Sequence, residues 1–336
     1  MYKLRRVWKP EMFQGGGRKD GYFEGWYFKC VPAGEKEAGQ THAWAFIPGV
    51  SLSAGDPHAF IQVFGGPEDR FGYFRFPLQD FDFSRKTFDV SIGGNRFSLH
   101  GMDLDLESED LAVRGNLRFE NIVPWPVRLF SPGAMGWYRF VPGMENYHGI
   151  LSLNHTISGT MQINGRAKDF TGGRGYIEKD WGTSFPKSWI WLQTNHFPDP
   201  EVSLTVSVAT VPWGRRYFTG YITGFLFHDD FYPFSTYSGG KIVDYTVKSK
   251  RHIRIVFRNK SHTLELEAKK EGGTDLKSPV SGRMEGHVHE SLRSESAVAF
   301  TKNGEESPTF EGTGRNAGLE IHGDTKELLE SALTRT

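Results

Sequence analysis

Leu111-Ala112-Val113-Arg114-Gly115-Asn116-Leu117-Arg118-Phe119 turns the apolar residues 111, 113, 117 and 119 to one side of an extended chain and its polar residues to the other. Successive side chains of a strand point to opposite faces, so a period of two predicts a strand with one wet face. The same alternation returns at 87–92, 103–107, 203–209, 242–247, 252–257 and 262–268. Gly93-Gly94-Asn95, Asn164-Gly165, Gly239-Gly240, Gly272-Gly273 and Asn303-Gly304 separate these runs, and such residues supply the positive φ of tight hairpin turns. Many short antiparallel strands joined by tight turns predict an all-β meander, either a barrel or a sandwich. Composition agrees: 27 Phe, 12 Tyr and 9 Trp favour strands, and 17 prolines discourage long helices. One helix is expected, over 325–335, where Asp324 can cap and Glu327 completes a capping-box pattern before Leu328, Leu329 and Leu333.

At 336 residues the chain suits two domains or one large β domain. Forty basic residues balance forty acidic ones, so no net field draws in nucleic acid or an anionic membrane, which leaves room only for a local patch. Cys30 is the only cysteine, which excludes an internal disulfide and reads as a buried small hydrophobe. The N-terminus from Met1 to Pro10 is basic without a following apolar run, unlike a signal peptide. No stretch approaches the roughly 20 apolar residues of a membrane helix. The expectation is a cytoplasmic protein without an integral membrane segment, open at most to transient membrane contact.

Gly21-Tyr22-Phe23-Glu24-Gly25-Trp26 is echoed by Gly175-Tyr176-Ile177-Glu178-Lys179-Asp180-Trp181, half a chain away. The echo suggests that each half opens on an equivalent strand. The Pro-rich stretch from Val123 to Gly133 reads as an ordered loop over a barrel mouth, because its aromatic content argues against a disordered linker. Both echoed segments set carboxylates among bulky aromatics, where burial favours a held proton. Glu178 and Asp180 share one side of a strand, with Lys179 opposite. A buried structural ion pair, or a carboxylate bonding loop amides, is the equally weighted alternative for each acid.

Other signals are weaker. His287-Val288-His289 has a spacing that zinc sites use, but no third ligand is evident and no metal is expected. Gly15-Gly16-Gly17-Arg18-Lys19 lacks the ending of a phosphate loop and reads as a mobile access loop. Asn154-His155-Thr156 and Asn259-Lys260-Ser261 match glycosylation sequons, but secretion is not expected. The absence of a G-x-S-x-G elbow leaves hydrolase activity unsupported.

Two blocks carry a family resemblance. FEGWYFK at 23–29 and EKDWGTSFPKSWIWLQTNHF at 178–197 resemble the signature of the tocopherol cyclase family, as do Phe140-Val141-Pro142-Gly143-Met144-Glu145 and His148 between them. The resemblance implies two lipocalin-like antiparallel β-barrel domains enclosing an apolar cavity, here expected at 1–170 and 171–336, the second bearing the terminal helix. It implies closure of a chromanol ring on a prenylated quinol, without metal or redox cofactor, and for this chain the expected substrate is a prenylated aromatic or another isoprenoid. An acid protonates the alkene of the tail and the phenol oxygen captures the cation. On that pattern Glu24, Glu178 or Asp180 donates the proton and His148 accepts the phenolic one. Trp26, Tyr27, Trp181, Trp189 and Trp191 line the cation path, and Tyr176, Gln193 and Asn195 complete the ligand contacts. Asp180 stands where plant members have Asn, which bears on substrate more than on fold. The rival expectation is a non-catalytic carrier of a lipophilic small molecule; a related hydratase or polyene cyclase would begin with the same protonation.

Overall fold

A computed structural model describes residues 2–34 and 42–333. The chain divides into two compact units, Met1–Phe185 with Thr274–His287, and Pro186–Gly273 with Val288–Thr336. This differs from the boundary expected at 170/171. The physical reason is the Gly173–Gly182 strand, which pairs on one edge with Tyr22–Val31 and on the other with Asn146–Ile163. It joins the two runs of the first sheet and cannot belong to another domain.

That sheet is antiparallel and has twelve strands. Tyr22–Val31, Trp44–Leu52, His58–Gly65 and Arg70–Pro77 meander away on one side of Gly173–Gly182. Asn146–Ile163, Ala112–Val123, Gly101–Glu107, Asn95–Ser98, Asp89–Ile92 and Phe81–Phe83 follow on the other, Arg166–Asp169 adds a twelfth strand beside Asn146–Ile163, and the sheet curls into a nearly closed barrel. Its core is aromatic: Trp26, Phe28, Phe46, Phe97 and Phe119 are all essentially buried. The diagnostic alternation holds, since Leu111, Val113, Leu117 and Phe119 all enter this core.

The second sheet holds ten strands, with Trp189–Thr194 between Val202–Trp213 and Phe310–His322. Thr325–Leu333 forms the expected helix, capped by the Asp324 carboxylate accepting the Glu327 amide at 3.0 Å. Leu328, Leu329 and Ala332 enter the core of the second unit. Besides this helix, Tyr2–Arg5 makes a single helical turn. No helix among the described residues is long and apolar enough to cross a membrane.

Two sequence expectations change. The echoed segments do not open separate halves: they are antiparallel neighbours, with Trp26 opposite Lys179 and Tyr27 opposite Glu178. The Gly-rich stretch is not free to move at its start. Gly15 donates its amide to Glu24 at 2.8 Å, and a Cβ there would fall 2.5 Å from the Tyr22 ring. The Pro-rich stretch is ordered, as expected, and carries a small hairpin, Val127–Arg128 with Ser131–Pro132.

Candidate active site

Alternation along Gly173–Gly182 sorts its side chains into two sets. Ile177 and Trp181 enter the aromatic core of the first unit, so Tyr176, Glu178 and Asp180 point to the opposite face of the sheet. Register then supplies their neighbours. Tyr27 and Ile150 flank Glu178, while Gly25 and His148 flank Asp180. Tyr176, Glu178 and His148 are all buried.

The polar groups form one chain. Asp180 Oδ1 accepts the Asn146 side-chain amide at 2.8 Å and meets His148 Nδ1 at 3.1 Å. An ionised Asp180 can only accept, so Nδ1 is the nitrogen that donates to it and Nε2 is the one turned toward Glu178. Nε2 stands 3.7 Å from Glu178 Oε2, and that oxygen accepts the Tyr176 hydroxyl at 2.6 Å. The imidazole thus lies between two carboxyl groups with its tautomer set by one of them. At 3.7 Å the imidazole and Glu178 are neighbours without a direct hydrogen bond, so proton movement between them needs a bridging group or a small approach, while Asp180 orients the ring. His148, Glu178 and Asp180 also each offer an atom for a shared cation, all within 4.8 Å of one another, as do the more exposed Asp199, Glu201 and His228. His287 and His289 are exposed and join no such group among the described residues.

Glu24 is a correction. It faces the core, fully buried, 2.5 Å from the fully buried Lys179 Nζ. Its oxygens also accept the amides of Gln14 and Gly15, at 2.8 Å each, and the Tyr22 hydroxyl at 2.5 Å. These bonds match the structural alternative, a buried ion pair that also bonds loop amides, and they turn Glu24 away from the face of Glu178. Lys179 in turn donates to the carbonyls of Pro10 and Met12, at 2.9 and 2.5 Å, so the pair pins the N-terminal segment into the first unit. Burial pushes the Lys179 ammonium down to about 8, against the attraction of Glu24.

Trp26 and Trp181 are corrected with it. Both indoles lie on the core face, with Lys179 Nζ 4.6 and 5.0 Å from their ring centroids. Trp26 stacks on Phe88 and Trp181 on Tyr147, so neither borders Glu178. The cause is the period of two: Glu178 and Trp181 are three positions apart and therefore on opposite faces. Tyr27 does lie on the Glu178 face.

The remaining expected contacts belong to the second unit. Ile190 and Leu192 enter its core, so Trp189, Trp191 and Gln193 form a row on the other face of their strand. Trp189 donates its indole N–H to Glu320 at 2.5 Å and stacks on His322 at 4.0 Å. Gln193 and Asn195 are fully buried.

Two residues escaped the sequence reading. Asn146, two positions before His148 and so on its face, anchors Asp180; that spacing was the available signal. Lys29 is fully buried and in register with Tyr176, which sets a cation on the face of the acids. Its place in the 23–29 block could have revealed it.

Against known proteins, a family model described as tocopherol cyclase-like matches residues 97–323. A probable chloroplastic tocopherol cyclase of Oryza sativa subsp. japonica is 30% identical over 150 residues, 43% of this chain and 32% of that protein. The match therefore spans about a third of the curated relative's length. Among solved structures, CghA superposes with a TM-score of 0.51 at 10% identity, covering 90% of this chain and 89% of that one. Kievitone hydratase from Nectria haematococca gives 0.50 at 10% identity, covering 89% of each chain. At such identities the two structures speak to a shared fold alone.

Proposed function

The chain belongs to the tocopherol cyclase-like family, and from that premise we propose that it is a cyclase of the isomerase type, closing a chromanol-type ring on a prenylated aromatic by acid catalysis. The observation that carries this reading is His148 lying between Glu178 and Asp180 in a buried site. Glu178 gives its proton to the trisubstituted alkene, forming one C–H bond and a tertiary cation. The phenol oxygen bonds to that cation and its proton passes to His148 Nε2. Returning this proton from His148 to Glu178 restores the site, so the reaction is proton-neutral and the product is an isomer of the substrate. Asp180, held by Asn146, keeps Nδ1 protonated so that Nε2 is the base. Tyr27 and Tyr176 present electron-rich rings on the same face as the acid. Proton transfer and cation capture need no redox cofactor.

A carrier would have no use for a carboxyl and an imidazole buried side by side, which favours the catalytic reading. The purified protein, incubated with a prenylated hydroquinone in deuterated water, is expected to yield a ring-closed product with one non-exchangeable deuterium on carbon. Glu178→Gln and His148→Ala should each lower the rate by about a hundredfold or more, while retaining the bound lipid. Rates unchanged in both variants would remove the assignment, and bound lipid without conversion by the wild type would favour the carrier.

A further inference from the structure

We propose that the Val127–Pro132 hairpin docks this protein on a phospholipid bilayer, with Leu129 and Phe130 entering the boundary between headgroups and acyl chains. The inference does not rest on the reaction. Among the described residues only eight large hydrophobic side chains are exposed, and five of them, Val127, Leu129, Phe130, Trp137 and Phe140, fall within one short stretch. Leu129 and Phe130, at the hairpin tip, are 66% and 80% exposed. Apolar exposure concentrated in this way marks an interaction surface, whereas single exposed residues do not.

The tip is held outward. Trp125, Ala134 and Met135 are buried at its base, and the Trp8 indole donates to the Leu129 carbonyl at 2.9 Å. Pro124, Pro126 and Pro132 further restrict the backbone. The apolar side chains therefore stay in water instead of folding back on the barrel.

Charge selects the partner. None of the chain's 40 acidic residues lies between 121 and 144, and the exposed Arg128 adjoins the tip. Leu and Phe at the end, Trp at the flank and Arg without acids form the pattern of an interfacial membrane contact, where cations meet phosphates and aromatic rings sit at headgroup depth. A protein partner would need a socket shaped for a convex tip; a bilayer needs none.

The test is sedimentation with vesicles of phosphatidylcholine, alone or mixed with phosphatidylglycerol. Wild type should pellet with vesicles, more strongly when the anionic lipid is present. Leu129→Asp/Phe130→Asp should weaken partitioning by at least about tenfold, with an unchanged near-ultraviolet circular dichroism spectrum. Leu129→Ser/Phe130→Ser, a milder pair at the same exposed positions, should weaken it in the same direction. Arg128→Glu should reduce the preference for anionic vesicles. Wild type remaining in the supernatant with both lipids would overturn the proposal, as would double variants that pellet like wild type. So would a loss caused instead by Trp213→Asp, at the other hairpin with exposed aromatics. Self-association abolished by the double variant, with no vesicle binding by wild type, would identify a second copy as the occupant.

Discussion

Tyr22 donates to Glu24 and Tyr176 to Glu178, each pair two positions apart on its strand. The repeated Gly-Tyr-apolar-Glu pattern thus encodes a local tyrosine–carboxylate bond, used twice in one sheet. Because the two copies face opposite sides, one carboxylate meets Lys179 in the core and the other meets His148. A second histidine illustrates how burial alone sets protonation. His155 lies on the core face opposite Gly175, where a Cβ would fall 2.2 Å from its Nε2. Its Nδ1 meets the Ser152 hydroxyl at 2.9 Å, and desolvation depresses the ring to about 3. In the unfolded chain it titrates near 6.5. Between those values the unfolded state binds more protons, so stability is full above about 6.5 and falls on acidification by up to about 1.4 kcal/mol per pH unit. Urea unfolding at neutral and acid pH should therefore show a shallower acid loss for His155→Gln than for wild type. Equal losses would remove the assignment.

Elements do their sorting by period. In Gly173–Gly182 a shift of one position would bury Glu178 in the aromatic core and expel Ile177 and Trp181, so hydrophobicity enforces the register that places the acids. The alternation of this strand was legible from the sequence, and so was the opposition of Lys179 to the two acids. Which side was the core was not legible, because aromatic residues stand on both faces. The terminal helix was read from its cap and its leucines, and both are in place. Removing the cap by Asp324→Ala should destabilise the second unit by about 1 kcal/mol, measured by chemical denaturation; no change would mean that Asp324 O and solvent suffice at this helix start.

Across the whole chain, the first unit is completed by residues far away in sequence. Thr274–His287 belongs to it, and Gln62 fastens that segment by pairing with both main-chain groups of Lys277: its Nε2 donates to the carbonyl at 3.1 Å and its Oε1 accepts the amide at 3.0 Å. Lys277 Nζ also lies 4.4 Å from the Tyr73 ring centroid. Gln62→Ala leaves two backbone groups without these partners, a change of about 1–3 kcal/mol. Hydrogen exchange at the Lys277 amide should accelerate by about tenfold or more, with the Gly173–Gly182 amides unaffected; unaltered exchange at Lys277 would show that other contacts hold the segment. The N-terminal residues 10–15 are likewise tied in by Glu24 and Lys179. Neither attachment is visible in local pattern, since each bond joins a side chain to the backbone of a distant segment.

The β class, the alternation of individual strands, the terminal helix and the two Glu-bearing blocks were determined by sequence alone, because periodicity, turn chemistry and capping act over a few residues. Tertiary structure decided the rest. It paired the two blocks as neighbours in one sheet, turned Glu24 inward to Lys179, and brought His148 and Asn146 across to Glu178 and Asp180. The physical reason is that a lone strand has two equivalent faces. Only packing against a core makes one of them the interior and leaves the other to carry Glu178, Asp180 and His148.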